Sequence, residues 1–174
     1  STAAIEGKLA VRADASKHKG DYRKIIEGIN DTLDAVIAPL NVAAEYIDRI
    51  AKGNIPSKIT DAYNGDFNEI KNNFNVCIDS INLLISDSIF LSKAAVEGKL
   101  AARADATKHE GDFRKIIEGV NDTMDAVIGP LNVAAEYIDR IGKGNIPPKI
   151  EDSYNGDFNE IKNNLNLCID GLEG

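Results

Sequence analysis

The sequence predicts an all-α fold: parallel homodimeric four-helix coiled-coil bundles stacked end to end, each built from helix–connector–helix units. Three observations carry that prediction. The chain repeats itself, its apolar residues recur at alternating steps of three and four, and its composition favours helix over sheet. Of 174 residues, 43% are hydrophobic but only 6% aromatic, with no Trp. The apolar content is Ile, Leu, Val and Ala, which suits helical packing more than a β-sandwich.

The repeat sets the organisation. Residues Ala3–Ile81 match Ala94–Leu172 at an offset of 91, with roughly four positions in five identical. A weaker repeat lies inside it. Gly7, Gly53, Gly98 and Gly144 are each followed two residues later by an aliphatic, namely Leu9, Ile55, Leu100 and Ile146. Gly20-Asp21, Gly65-Asp66, Gly111-Asp112 and Gly156-Asp157 recur with the same period of 45 or 46. Four units follow, at residues 1–36 (first helix truncated), 37–82, 83–127 and 128–174, alternating between two types.

Helices are expected near 21–52, 66–97, 112–143 and 157–172, with residues 1–6 as the stub of another. In the first, the apolar seam is Ile26, Ile29, Leu33, Val36, Leu40, Ala43, Ile47 and Ile50, with steps of three and four throughout. In the third it is Ile117, Val120, Met124, Val127, Leu131, Ala134, Ile138 and Ile141. Such a narrow stripe is a coiled-coil seam. The second helix opens similarly with Phe67, Ile70, Phe74, Ile78 and Ile81, then steps by four and four to Ile85 and Ile89, a stutter that locally unwinds a supercoil. Gly53, Gly98 and Gly144 stand where C-caps belong. Asp66 with Glu69 reads as a capping box, and the Asp opening each second helix reads as a cap for free N–H groups. Pro39 and Pro130 interrupt otherwise continuous seams; either the helix kinks there, or a new helix starts with Pro in its first turn.

Between helices lie connectors of about a dozen residues, which can span roughly 35–40 Å when extended. A sixteen-residue helix is only ~24 Å long. Each connector can therefore run back along its helix and leave the next one parallel. Two parallel helices with narrow seams need two more, which a second copy supplies.

Each unit resembles a HAMP domain, the relay module of bacterial chemoreceptors and sensor kinases. The resemblance rests on the Gly-x-aliphatic signatures at Gly7, Gly53, Gly98 and Gly144, and on apolar-Asn pairs at Asn30, Asn75, Asn121 and Asn166. Pro39 and Pro130 match the family's first-helix proline; Ile59 and Ile150 match its second connector aliphatic, with only Ala13 and Ala104 in the other units. The usual Glu opening the second helix is Asp here, at Asp21, Asp66, Asp112 and Asp157. The third unit lacks the proline. Concatenated in this way, the units resemble the poly-HAMP segments of chemoreceptors and hybrid histidine kinases.

Chemistry is sparse in the sequence. Formal net charge is −8, from 28 acidic and 20 basic residues. That balance argues against a nucleic-acid partner and weakly against an anionic membrane surface. His18 and His109, the only histidines, occupy equivalent connector positions without ligand-spaced partners and are expected to be exposed. Cys77 and Cys168 sit on or beside a seam and are expected to be small buried apolar side chains. No nucleophile elbow or phosphate loop is present. No enzyme activity, cofactor, metal or small-molecule substrate is expected. No apolar run approaches the ~20 residues that cross a bilayer, so the expected location is the cytoplasm. The resemblance allows a parent anchored in the inner membrane.

The expected function is signal relay along a dimeric coiled coil, from a sensor to a chemotaxis or kinase output domain of the same parent chain. A passive structural spacer is the alternative.

Overall fold

The computed structural model describes residues 2–173. Their elements are α1 (Thr2–Ile5), α2 (Gly20–Ala51), α3 (Gly65–Val96), α4 (Gly111–Gly142) and α5 (Asp157–Glu173). Two 3-10 turns stand at Ala15–Lys17 and Ala106–Lys108, and no strand occurs among the described residues. The three long helices each begin and end one residue earlier than the hydrophobic pattern suggests. The chain divides into two compact units, Ser1–Asn82 and Leu83–Gly174, with the boundary inside α3.

The helices end for a local reason. At the end of α2 the Gly53 N–H donates to the Ile50 carbonyl (2.9 Å) and the Asn54 N–H to the Arg49 carbonyl (2.9 Å). This Schellman closure needs a left-handed residue, and Gly53 supplies φ +75°. At the other end of the connector Gly65, at φ +53°, turns the chain into α3.

Both prolines lie inside continuous helices, Pro39 in α2 and Pro130 in α4. Of the two alternatives, a helix that continues through the proline and a new helix that starts with it, the structure shows the first. Each long helix carries the second half of one repeat and the first half of the next without a break. Asp21 and Asp112, in contrast, do not occupy the capping positions. The residues preceding α2 and α4, Lys19 and Glu110, make no side-chain capping bond. Asp21 and Asp112 sit inside the first turn, paired with Lys24 (3.2 Å) and Lys115 (2.8 Å). They favour the positive helix end by charge, but the helices begin one residue earlier, at Gly20 and Gly111, so the carboxylates stand inside the first turn.

In the first unit the buried apolar residues are Ile37, Ile59 and Ile78. In the second they include Leu91, Ala104, Ile117, Ile128, Ile150 and Ile169. Pro56 and Pro147 are fully buried in their connectors. The seam behaves differently. Ile29, Val36, Leu40 and Ile47 of α2 are exposed in a single chain, as are Val120, Val127, Leu131 and Ile138 of α4. Ile26, Leu33, Ile50, Met124 and Ile141 are half-buried, and Ile117 is wholly so. Cys77 and Cys168 are exposed and unbridged, which corrects their expected burial: each precedes the inward-facing Ile78 or Ile169, and so falls off that face.

One helix is more apolar than the sequence reading allowed. By length and composition alone, α3 is long and apolar enough to cross a membrane, with mean hydropathy 1.4 over its best 18-residue window. The middle and end of α3 are rich in Ile, Leu and Phe, and most of the polar residues between them are uncharged Asn and Ser. Two of its four acids, Asp79 and Asp87, face a connector cation or imidazole, namely Lys58 at 2.6 Å and His109 at 2.7 Å. Those pairings fit a helix flanked by polar connectors better than one surrounded by lipid.

Candidate functional site

The feature repeated four times is a clamp between each connector and the helix that follows. It begins with the asparagine of the apolar-Asn pair. The Ile59 N–H donates to Asn75 Oδ1 (2.8 Å), while Asn75 Nδ2 donates to the Ile59 carbonyl (3.0 Å). Asn166 holds Ile150 identically, at 2.8 and 3.0 Å. Asn121 holds Ala104 at 3.2 and 2.8 Å, and Asn30 holds Ala13 at 3.1 and 2.8 Å. Only an amide carries donor and acceptor side by side in this way. The extended connector thus gains, from a side chain, the partners a neighbouring strand would give it.

An ion pair one helical turn further on completes each clamp. The residue before each held position is basic, and it meets an Asp four residues after the Asn. The pairs are Arg12–Asp34, Lys58–Asp79, Arg103–Asp125 and Lys149–Asp170, each at 2.6 Å. Positions four apart share a helix face, so Asn and Asp grip adjacent points of one connector. These cations and acids were not among the residues singled out from the sequence. The signal was present as Asn-x-x-x-Asp in all four second helices.

Above the clamp the connector aliphatic packs inward. Ile59 and Ile150 are buried, and so is Ala104, but Ala13 is exposed because only the short α1 precedes it. In the second repeat unit Pro39, Val42 and Ala43 of α2 face Ile59, Tyr63 and Phe67 across a small crevice. Pro130, Val133, Ala134, Ile150, Tyr154 and Phe158 form its counterpart. Tyr46 and Phe74 stack edge to face with centroids 6.2 Å apart.

The two connector types differ in length by one residue. Gly53 to Gly65 and Gly144 to Gly156 span twelve positions, whereas Gly7 to Gly20 and Gly98 to Gly111 span thirteen. The 3-10 turns are found in the longer type. Asp14 caps the first turn by accepting from the Ser16 N–H (3.0 Å) and hydroxyl (2.6 Å). Asp105 caps the second through the Thr107 N–H (3.1 Å) and hydroxyl (2.6 Å). Those bonds, the hydroxyl's foremost, hold both carboxyls below the ordinary Asp range.

The histidines part company. His18 is exposed, but His109 is buried, 2% exposed, which corrects the expectation for that residue. Its Nε2 lies 2.7 Å from Asp87 Oδ2 on α3. The first repeat unit has no such helix over its connector, so the same residue type stays in water there. Among the described residues no His, Cys, Asp or Glu cluster could hold a metal ion.

Together these features define a tandem helix–connector–helix protein whose recurring site is a backbone clamp. A family model described as a HAMP domain matches residues 17–83 and 108–174. The chain belongs to that family of signal-transduction modules, in which helices and connectors relay signals within transducer proteins.

Proposed function

We propose that this chain is a relay that carries a conformational change along a parallel dimeric coiled coil, from a sensor domain to a chemotaxis or kinase output domain. Four HAMP units, at 1–36, 37–82, 83–127 and 128–174, divide the work. The observation that carries the reading is the clamp, made four times, twice on helices that continue through Pro39 or Pro130. The first three connectors are each tied to the first half of a long helix, and the second half of that helix leads into the next connector. Movement at one clamp is thereby mechanically joined to the next.

The partner is a second copy. Exposed Ile29, Val36, Leu40 and Ile47 recur at heptad positions on one side of α2, and Val120, Val127, Leu131 and Ile138 repeat the row on α4. Coiled-coil seams of this kind are buried by a partner helix. The relay acts on the cytoplasmic side of a membrane-anchored parent and needs no cofactor or substrate.

The test is a chimera. The chain is spliced between a chemoreceptor's sensor and its signalling output, and one residue is then inserted beside Pro39. A relay loses or inverts its response, because one residue turns the helix by about 100°. A passive spacer keeps it, and an unchanged output would falsify the proposal.

A further inference from the structure

One buried place distinguishes the third repeat unit from the second and fourth. Two residues before each Gly-Asp stands His18, Tyr63, His109 or Tyr154. Eleven residues before Gly53, Gly98 and Gly144 stand Val42, Asp87 and Val133. Val42 and Tyr63 line one crevice, and Val133 with Tyr154 lines its counterpart. The corresponding positions in the third unit are Asp87 and His109, hydrogen-bonded at 2.7 Å. A seat that is apolar twice is polar once.

The polar seat is incompletely satisfied. The His109 Nδ1 is enclosed with no hydrogen-bond partner. If Nε2 donates to Asp87, Nδ1 is an acceptor without a donor. If the ring is charged, Nδ1–H is a donor without an acceptor. Either way the docked connector carries an unpaired buried group that water would satisfy on release. The Val–Tyr seats carry no such penalty at this pair, and their apolar surface gains nothing from water. The connector's inward anchor is also smaller here: Ala104 stands where the second and fourth units have Ile59 and Ile150. Arg114 Nε donates to the His109 carbonyl (2.9 Å), so release of the histidine loosens the first turn of α4 as well.

We infer that the Asp87–His109 pair is a reversible latch, and that the connector of the third unit opens from α3 more readily than those of the second and fourth units open from their own first helices. The inference concerns local opening alone and does not depend on what the chain relays.

Amide hydrogen exchange on the 174-residue chain tests it. Ala104 is buried in one cluster with Leu91 of α3, so its N–H, which donates to Asn121 Oδ1 (3.2 Å), meets water when the connector leaves α3 and reports the latch. The Ile150 N–H, which donates to Asn166 Oδ1 (2.8 Å), is the internal reference. The double variant Asp87→Val/His109→Tyr installs the seat of the neighbouring units. It is expected to slow Ala104 exchange on the order of tenfold, with Ile150 unchanged. Unchanged or faster Ala104 exchange overturns the latch. Loss of helical circular dichroism in that variant also overturns it, since the seats would then not be equivalent. The reciprocal variant Val133→Asp/Tyr154→His is expected to speed Ile150 exchange while leaving Ala104 unaltered; an unchanged Ile150 rate overturns the latch independently.

Discussion

Asn75 holds both backbone groups of Ile59, accepting from its N–H at 2.8 Å and donating to its carbonyl at 3.0 Å. Because Ile59 is buried, those groups have no water to turn to when the amide is removed. Asn75→Ala is expected to cost about 1–3 kcal/mol. Asn30→Ala, which frees the exposed Ala13, is expected to cost about 1 kcal/mol or less. Thermal unfolding of the two variants checks the order, and a larger loss from Asn30 would contradict the role assigned to burial.

The ion pairs of the clamp are a weaker matter. Lys149 and Asp170 are each about half exposed. Lys149→Ala should change stability by only ~0–1 kcal/mol, and less in high salt. Denaturant midpoints at two salt concentrations measure this. Their use is orientation: a cation one residue from the amide bonds fixes which way the connector lies.

Two glycines should respond oppositely to alanine. Nothing lies within 4 Å of a Cβ added at Gly53 or at Gly28, so neither change is blocked by a neighbour. Gly53 stands at φ +75°, and Gly53→Ala should cost about 1–2 kcal/mol in backbone strain. Gly28 is an ordinary helical position in α2, and Gly28→Ala should stabilise by about 0.4–1 kcal/mol. Melting temperatures moving in the same direction would contradict this.

Buried and exposed seam residues should fail differently. Ile117 is fully buried within its own chain, and Ile117→Ala should cost about 2–5 kcal/mol. Leu131 is 42% exposed in one chain. Leu131→Ala should act on association, raising the concentration at which sedimentation shows the dimer. A wild-type chain that sediments as a folded monomer at every concentration would remove the basis for the second copy.

Asp105 offers a pH signature. Its carboxyl is held below the ordinary Asp range by the Thr107 hydroxyl and N–H. A depressed folded value means the contribution is present above the ordinary carboxylate pKa and is lost as pH falls through the lowered one. Carbon-detected NMR titration should place Asp105 below exposed acids without such bonds. Thr107→Val, which removes the larger cause, should move it back upward; no movement would show that the hydroxyl is not responsible.

Much of the architecture was legible because periodicity reports burial directly. The three-four seams located every long helix, and the Gly-x-aliphatic signature located their ends. The fate of individual polar residues was less legible. Asp21 and Asp112 looked like caps, but α2 and α4 begin one residue before them, with Lys19 and Glu110 at the capping positions. His18 and His109 are indistinguishable in sequence context. One is covered by a helix and the other is not, a difference that arises some twenty residues away at Asp87. The asparagines were visible as a signature, but their bidentate grip was not, because the partner is backbone and backbone has no letter. Cys77 and Cys168 were misplaced for a related reason: one step around a helix is about 100°, enough to carry a side chain from the buried face to the outside.

The unbroken course of α2 through Pro39 changes what counts as a part. Its first half bears Asn30 and Asp34, which grip one connector; its second half bears Val42 and Tyr46, which meet the next connector and the helix beyond. At 32 residues it is one helix about 48 Å long. The repeating sequence block and the mechanical piece are therefore offset by half a period. Each long helix straddles a boundary that the repeat draws, and the connectors lie inside the blocks. Excising one sequence block would cut two helices and leave neither with both of its attachments, whereas exchanging one whole helix for another would keep every connector in place.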